Sequence, residues 1–112
     1  MTPEPRSIPL DATAWAPEAP GIRSRAATVA EVAGSARWAV VEYAEGAARE
    51  EWCTEGHRGY VLAGAMRYDF DDGTAPIEAR EGQAFLLPAG QAHRGTNLAA
   101  GETRMFLVDG VV

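Results

Sequence analysis

The chain has 112 residues, 46% hydrophobic and 23% charged, with one cysteine, two histidines and a formal net charge of −6 at pH 7. That is about one domain, long enough to bury a core and ordinary in composition for a soluble globular protein. The acidic balance argues against nucleic-acid binding by counterion displacement, no apolar run approaches the roughly 20 residues of a membrane span, and MTPEPRSIPLD lacks the apolar stretch of a secretory signal.

Residues 1–20 hold five of the seven prolines, at positions 3, 5, 9, 17 and 20. Proline lacks a backbone donor and resists regular pairing, so this stretch is expected to be an extended arm, with Ser7–Leu10 as a short edge strand. Trp15 reads either as an anchor against the domain or simply as a cover for its core. Residues 21–112 form the domain proper. Short strands are predicted over 22–29, 37–44, 59–64, 65–70, 76–79, 84–88 and 103–109. Met66, Tyr68 and Phe70 alternate with Arg67 and Asp69, the period-two pattern of a half-buried strand. Asp71-Asp72-Gly73 and Pro88-Ala89-Gly90 read as tight turns. Val40-Val41 and the aromatics of RWAVVEYA favour strand over helix. Regular short strands without long helical periodicity indicate an all-β sandwich or barrel.

The only cysteine and both histidines fall into one spacing: Glu51-x-Cys53-x3-His57-x6-Gly64, then GQAFLLPAGQAHRGTN over residues 82–97. Glu51 and Cys53 are two apart, so on a strand they would share a face. The second segment resembles the second motif of the cupin family at every defined position. The first motif of that family is usually HxHx3Ex6G; here Glu51, Cys53 and His57 stand in its three ligand slots, and His93 keeps the final histidine. The resemblance spans roughly Gly21 to Val108. It implies a double-stranded β-helix, or jelly-roll barrel, with one divalent metal held by Glu51, Cys53, His57 and His93.

A thiolate, two imidazoles and a carboxylate suit zinc, with iron, nickel and copper as alternatives. Glu51, beside Glu50, also reads as a solvated surface residue, and the lone Cys53 as a small buried hydrophobe. Gly59 and Gly95, two residues beyond His57 and His93, leave room for a bound molecule or mark close strand approach. Tyr68, Phe70, Phe85, Met66 and Met105 are expected to line the pocket. Arg58 and Arg94 are expected to point away, Trp52 to pack, and Asn97 to hydrogen-bond in a turn.

Three functions are open to such a chain. The default is a metal-binding cupin holding a small polar molecule. The second is a metal-dependent isomerase, lyase or dioxygenase acting on a small carboxylate or sugar-like substrate. The third is a zinc-binding regulatory module. One cysteine and no internal disulfide fit a cytoplasmic protein, and small cupins commonly pair, so a homodimer is expected.

Overall fold

The computed structural model describes residues 4–110, and its regular structure is nine strands with one 3-10 turn, Leu10–Ala12. The strands are β1 (Ala16–Ala19), β2 (Ile22–Glu31), β3 (Gly34–Tyr43), β4 (His57–Ala63), β5 (Ala65–Phe70), β6 (Ile77–Arg80), β7 (Ala84–Leu87), β8 (His93–Asn97) and β9 (Thr103–Asp109). They form a six-stranded sheet, ordered β1-β2-β3-β9-β4-β7, and a three-stranded sheet, ordered β6-β5-β8. Every pairing is antiparallel. This is the expected all-β jelly roll.

The period-two patterns translate directly into a core. Val41 of β3, Val61 of β4, Leu87 of β7 and Met105 of β9 face Met66 and Tyr68 of β5, all buried. Met66, Leu87, Val61 and Met105 lose essentially all contact with water, each burial being worth about 1.5–3 kcal/mol. The outer face carries its own cross-strand set. Glu42 pairs in register with Arg23 on one side and Arg104 on the other, and its carboxylate accepts hydrogen bonds from both guanidinium groups.

The arm departs from expectation. Ser7–Pro9 form no strand; the chain turns through Leu10–Ala12, and the edge strand is β1 instead. Pro17 sits in β1 because that strand pairs on one side only, with β2, and its register slips between Pro17 and Ala19. Trp15 is an anchor, held by cation–π contacts with the guanidinium groups of Arg23 (4.0 Å) and Arg25 (4.4 Å).

At the end of the barrel away from the histidines, Asn97 fixes several loops at once. Its amide donates to the carbonyls of Tyr43, Ala44 and Gly101, and its oxygen accepts from Ala99 N–H and the Thr103 hydroxyl. Asn97 closes β8, so the hydrogen-bonding role read from the sequence holds while its place is the end of a strand. Gly64 (φ +92) lets the chain turn from β4 into β5 directly against Thr103.

Candidate metal centre

The centre sits where the two sheets meet at one end. His57 opens β4 and lies directly across from Asp109, the last residue of β9. Cross-strand partners share a face, so imidazole and carboxylate meet, with Nδ1 to Oδ1 at 2.5 Å. On the other sheet, Cys53 and His93 exchange both backbone hydrogen bonds, at 2.8 and 2.9 Å. Sγ of Cys53 and one ring nitrogen from each histidine all lie within 4.8 Å of one another.

Glu51, expected as a fourth ligand, stands outside this trio and is exposed. The reason is local. Arg49 N–H donates to Gly95 O, and Cys53 N–H to His93 O, so the four-residue step from 49 to 53 spans only the two-residue step from 95 to 93. Two extra residues bulge out, which breaks the alternation that would have put Glu51 and Cys53 on one face. Trp52 is pushed out with it, 40% exposed, and is covered by the Arg94 guanidinium at 4.2 Å. Trp52 is thus an exposed rim residue rather than a packing one, and Arg94 likewise lies on the rim of the cleft rather than pointing away from it.

The donor set fits a metal ion. His57 Nδ1 is engaged by Asp109, and His93 Nδ1 lies 3.3 Å from the carbonyl of Gln91. With an acceptor beside each Nδ1, the tautomer protonated there would leave Nε2 free to ligate, the arrangement in which a histidine binds metal while its other nitrogen is held from behind. Cys53 Sγ lies 3.9 Å from His57 Nε2. Tetrahedral zinc with ordinary Zn–S and Zn–N lengths would hold the two at about 3.6 Å, close to this pair's spacing, while donors as far as 4.8 Å apart would have to draw in further. Three protein donors leave one tetrahedral position open.

Electrostatics agree. Burial, reinforced by the neighbouring His57, lowers the pKa of His93 and favours the neutral, ligating ring. Burial works the other way on Asp109, but hydrogen bonds and charge from His57 and Arg37 outweigh it and hold the carboxyl below its ordinary value. Arg37 donates to the second oxygen of Asp109 at 3.0 Å and to Glu18 Oε1 at 2.8 Å, tying β1 to the site.

A cleft of about 640 Å³ opens in front of the three donors. Of the five side chains expected to line it, only Tyr68 does. Met66, Phe85 and Met105 fill the core instead, with Phe70 packed against it. The two glycines also resolve. The Phe85 ring occupies the place of a side chain at position 59, so Gly59 marks a close strand approach and not ligand space. Gly95 lines the cleft, although a Cβ there would come within 2.8 Å of Met66 and Tyr68.

The sequence reading placed Cys53, His57 and His93 together and passed over Asp109, Arg37, Tyr43 and Arg49. Asp109 carried a usable signal. In TRMFLVD the inward phase runs Thr103, Met105, Leu107, Asp109, and an acid on a buried phase asks for a partner.

Comparison with known proteins gives the same family from independent grounds. No curated protein is detectably similar in sequence. Among solved structures, the chain is similar to the polyketide cyclase RemF from Streptomyces resistomycificus (18% identity, TM-score 0.72, 95% of this chain and 79% of that one). It is also similar to KdgF from Halomonas sp. (19%, 0.68, 94% and 92%) and to the Schizosaccharomyces pombe Cnp3 cupin domain (14%, 0.69, 95% and 69%). At these identities the likeness is one of fold. The cupin-domain family profile matches residues 39–109, more than half of the chain and all three candidate donors, and the chain belongs to the cupin family.

Proposed function

We propose that this cupin binds one divalent metal ion through Cys53 Sγ and the Nε2 atoms of His57 and His93, and holds a small polar molecule at the open position. The observation that carries this is the trio within 4.8 Å, with both Nδ1 atoms already occupied from behind. Zinc is the proposed metal, because one thiolate and two imidazoles match its preferences; iron, nickel and copper are the competitors. When bound, the ion would supply a Lewis acid facing the cleft. The chain's own part is to hold the rings in the ligating tautomer through Asp109 and Gln91, and to shape the cleft.

A second reading is favoured by the open side of the centre. A purely structural zinc site is usually closed by four protein ligands, whereas three donors beside a cleft suit an enzyme. A metal-dependent isomerase, lyase or dioxygenase acting on a small carboxylate or sugar-like molecule fits that arrangement, and the similar fold of a polyketide cyclase is compatible with it. A regulatory zinc module, the third possibility, has less support because it needs no such cleft.

Elemental analysis of the purified protein is the direct test. One equivalent of metal, lost in Cys53→Ala and in His93→Ala, supports the reading. Full stoichiometric metal in Cys53→Ala would make the cysteine a packing residue and remove the argument for zinc.

A further inference from the structure

The cleft wall holds several cations, and they are not equivalent. Arg37 is committed to the frame: it donates to Asp109 Oδ2 (3.0 Å), Glu18 Oε1 (2.8 Å) and Ser24 Oγ (3.1 Å). Arg94 is stacked on Trp52 and donates to Glu50 O at 3.3 Å. Arg49 is different. Its backbone is pinned to β8 through Gly95 O, and its Nε donates to the Tyr43 hydroxyl at 3.3 Å. The carboxylate nearest its terminal nitrogens is that of Glu18, at 3.9 Å, beyond hydrogen-bond reach. Among the described residues, no acceptor takes the Nη protons of Arg49, which lines the same cleft as the three metal donors. Tyr43 is buried and accepts from Arg49, so its own proton is free to donate. Burial also raises its pKa, keeping that proton in place at neutral pH.

Resting on the metal centre proposed above, we infer that the molecule held in this cleft is a small organic acid. Its carboxylate sits on Arg49 and the Tyr43 hydroxyl, and a second oxygen takes the open metal position. A guanidinium fork beside one hydroxyl donor matches a planar carboxylate. A neutral sugar would leave Arg49 with only its long 3.9 Å contact to the Glu18 carboxylate as charge partner. A phosphate asks for more donors, and no glycine-rich loop offers backbone N–H groups here. The charges agree: a divalent ion, Arg37 and Arg49 bring four positive charges against three from the thiolate, Asp109 and Glu18, so the cleft keeps a net positive charge. Glu51 and Glu55 on the rim are exposed and screened by solvent and salt.

The test uses the full chain loaded with Co²⁺, whose visible bands report both the donor set and any ligand entering the open position. Loading is read first. If the chain takes up no stoichiometric cobalt, the metal centre itself is wrong and this inference falls with it. With loading established, acetate, malonate and glutarate are titrated against their neutral amides. At least one acid is expected to perturb the bands saturably and at least tenfold more tightly than its amide. Arg49→Gln should weaken that acid tenfold or more while leaving the ligand-free spectrum unchanged, and Arg49→Lys should restore part of the loss. If every amide matches its acid, or if Arg49→Gln binds the acid as the natural chain does, the inference is overturned with the metal centre intact.

Discussion

Replacing Asp109 by asparagine probes the metal centre without touching a ligand. The residue is 7% exposed and keeps its size in the variant, so little packing is lost. What changes is the pattern of donors and acceptors. In the natural chain both carboxylate oxygens accept, one from His57 Nδ1 and the other from Arg37. An asparagine has one oxygen and one NH₂. If the oxygen faces Arg37, the NH₂ faces His57 Nδ1, which must give up its proton, and the ring then carries it on Nε2, the atom needed for the metal. If the oxygen faces His57, two donors confront one another at Arg37. Losing such a supporting partner typically weakens metal binding 10–100-fold, or about 1.4–2.7 kcal/mol. Competition against a calibrated chelator measures the affinity directly. Urea denaturation with and without excess Zn²⁺ gives the same number as the lost part of the metal-dependent stabilisation. Unaltered zinc affinity in Asp109→Asn would mean that His57 is not held by this contact in the ligating state, and the tautomer argument would fail.

Other expectations concern the ligands, the backbone and pH. Cys53→Ala and His93→Ala should each abolish stoichiometric metal, whereas Glu51→Gln should retain it nearly in full; comparable loss in Glu51→Gln would show that the bulge closes onto the ion. Gly64→Ala combines a positive φ of +92 with a Cβ only 2.8 Å from Thr103 Cα, and should destabilise by about 3 kcal/mol or more. Gly73→Ala, at φ +83 with nothing near it, isolates the backbone part at about 1–2 kcal/mol, and equal losses in urea titrations would dismiss the steric component. Burial opposes ionisation of Glu42, but Arg23 and Arg104 prevail and lower its pKa, as His57 and Arg37 do for Asp109. Both carboxyls therefore contribute stability that is complete above the ordinary carboxylate range and is lost as pH falls through their folded values. The urea midpoint of metal-free protein should drop below about pH 4, and Glu42→Gln should shallow that drop; an identical pH profile in the variant would count against the pairing.

The jelly roll was legible because its core strands are written in apolar alternation. TRMFLVD and AMRYDF hold their buried phases in the structure, and the turns at Gly73 and Gly90 adopt the positive φ read from their composition. β8 was not predicted, although His93 was: its buried phase is His93, Gly95 and Asn97, which hydrophobic periodicity does not detect. The edge strand was misplaced from β1 to Ser7–Leu10, because Pro17 argues against a strand unless one knows that its free side faces no partner. Three of the four proposed ligands converge. Glu51 stands outside the trio for a reason no spacing rule contains, a two-residue bulge fixed by pairing with a strand some forty positions away. Arg49 was invisible for the same reason, since only that pairing brings it to the cleft.

If the proposed ion binds, the spacing of the donors along the chain also bears on when it enters. Cys53 and His57 are four residues apart and need no tertiary structure to approach one another, while His93 and Asp109 arrive only once His93 of β8 has paired with Cys53 and β9 with β4. A newly made chain therefore presents a two-donor chelate before it folds. Metal bound to that local pair stabilises the unfolded chain as well, and the net gain on folding shrinks accordingly. The preference of the ion for the native state then comes from His93, which completes the donor set, and from Asp109, which fixes the ring of His57. Loading before folding and loading after it become two parallel routes to one product, with stopped-flow refolding in the presence and absence of Zn²⁺ able to separate their rates.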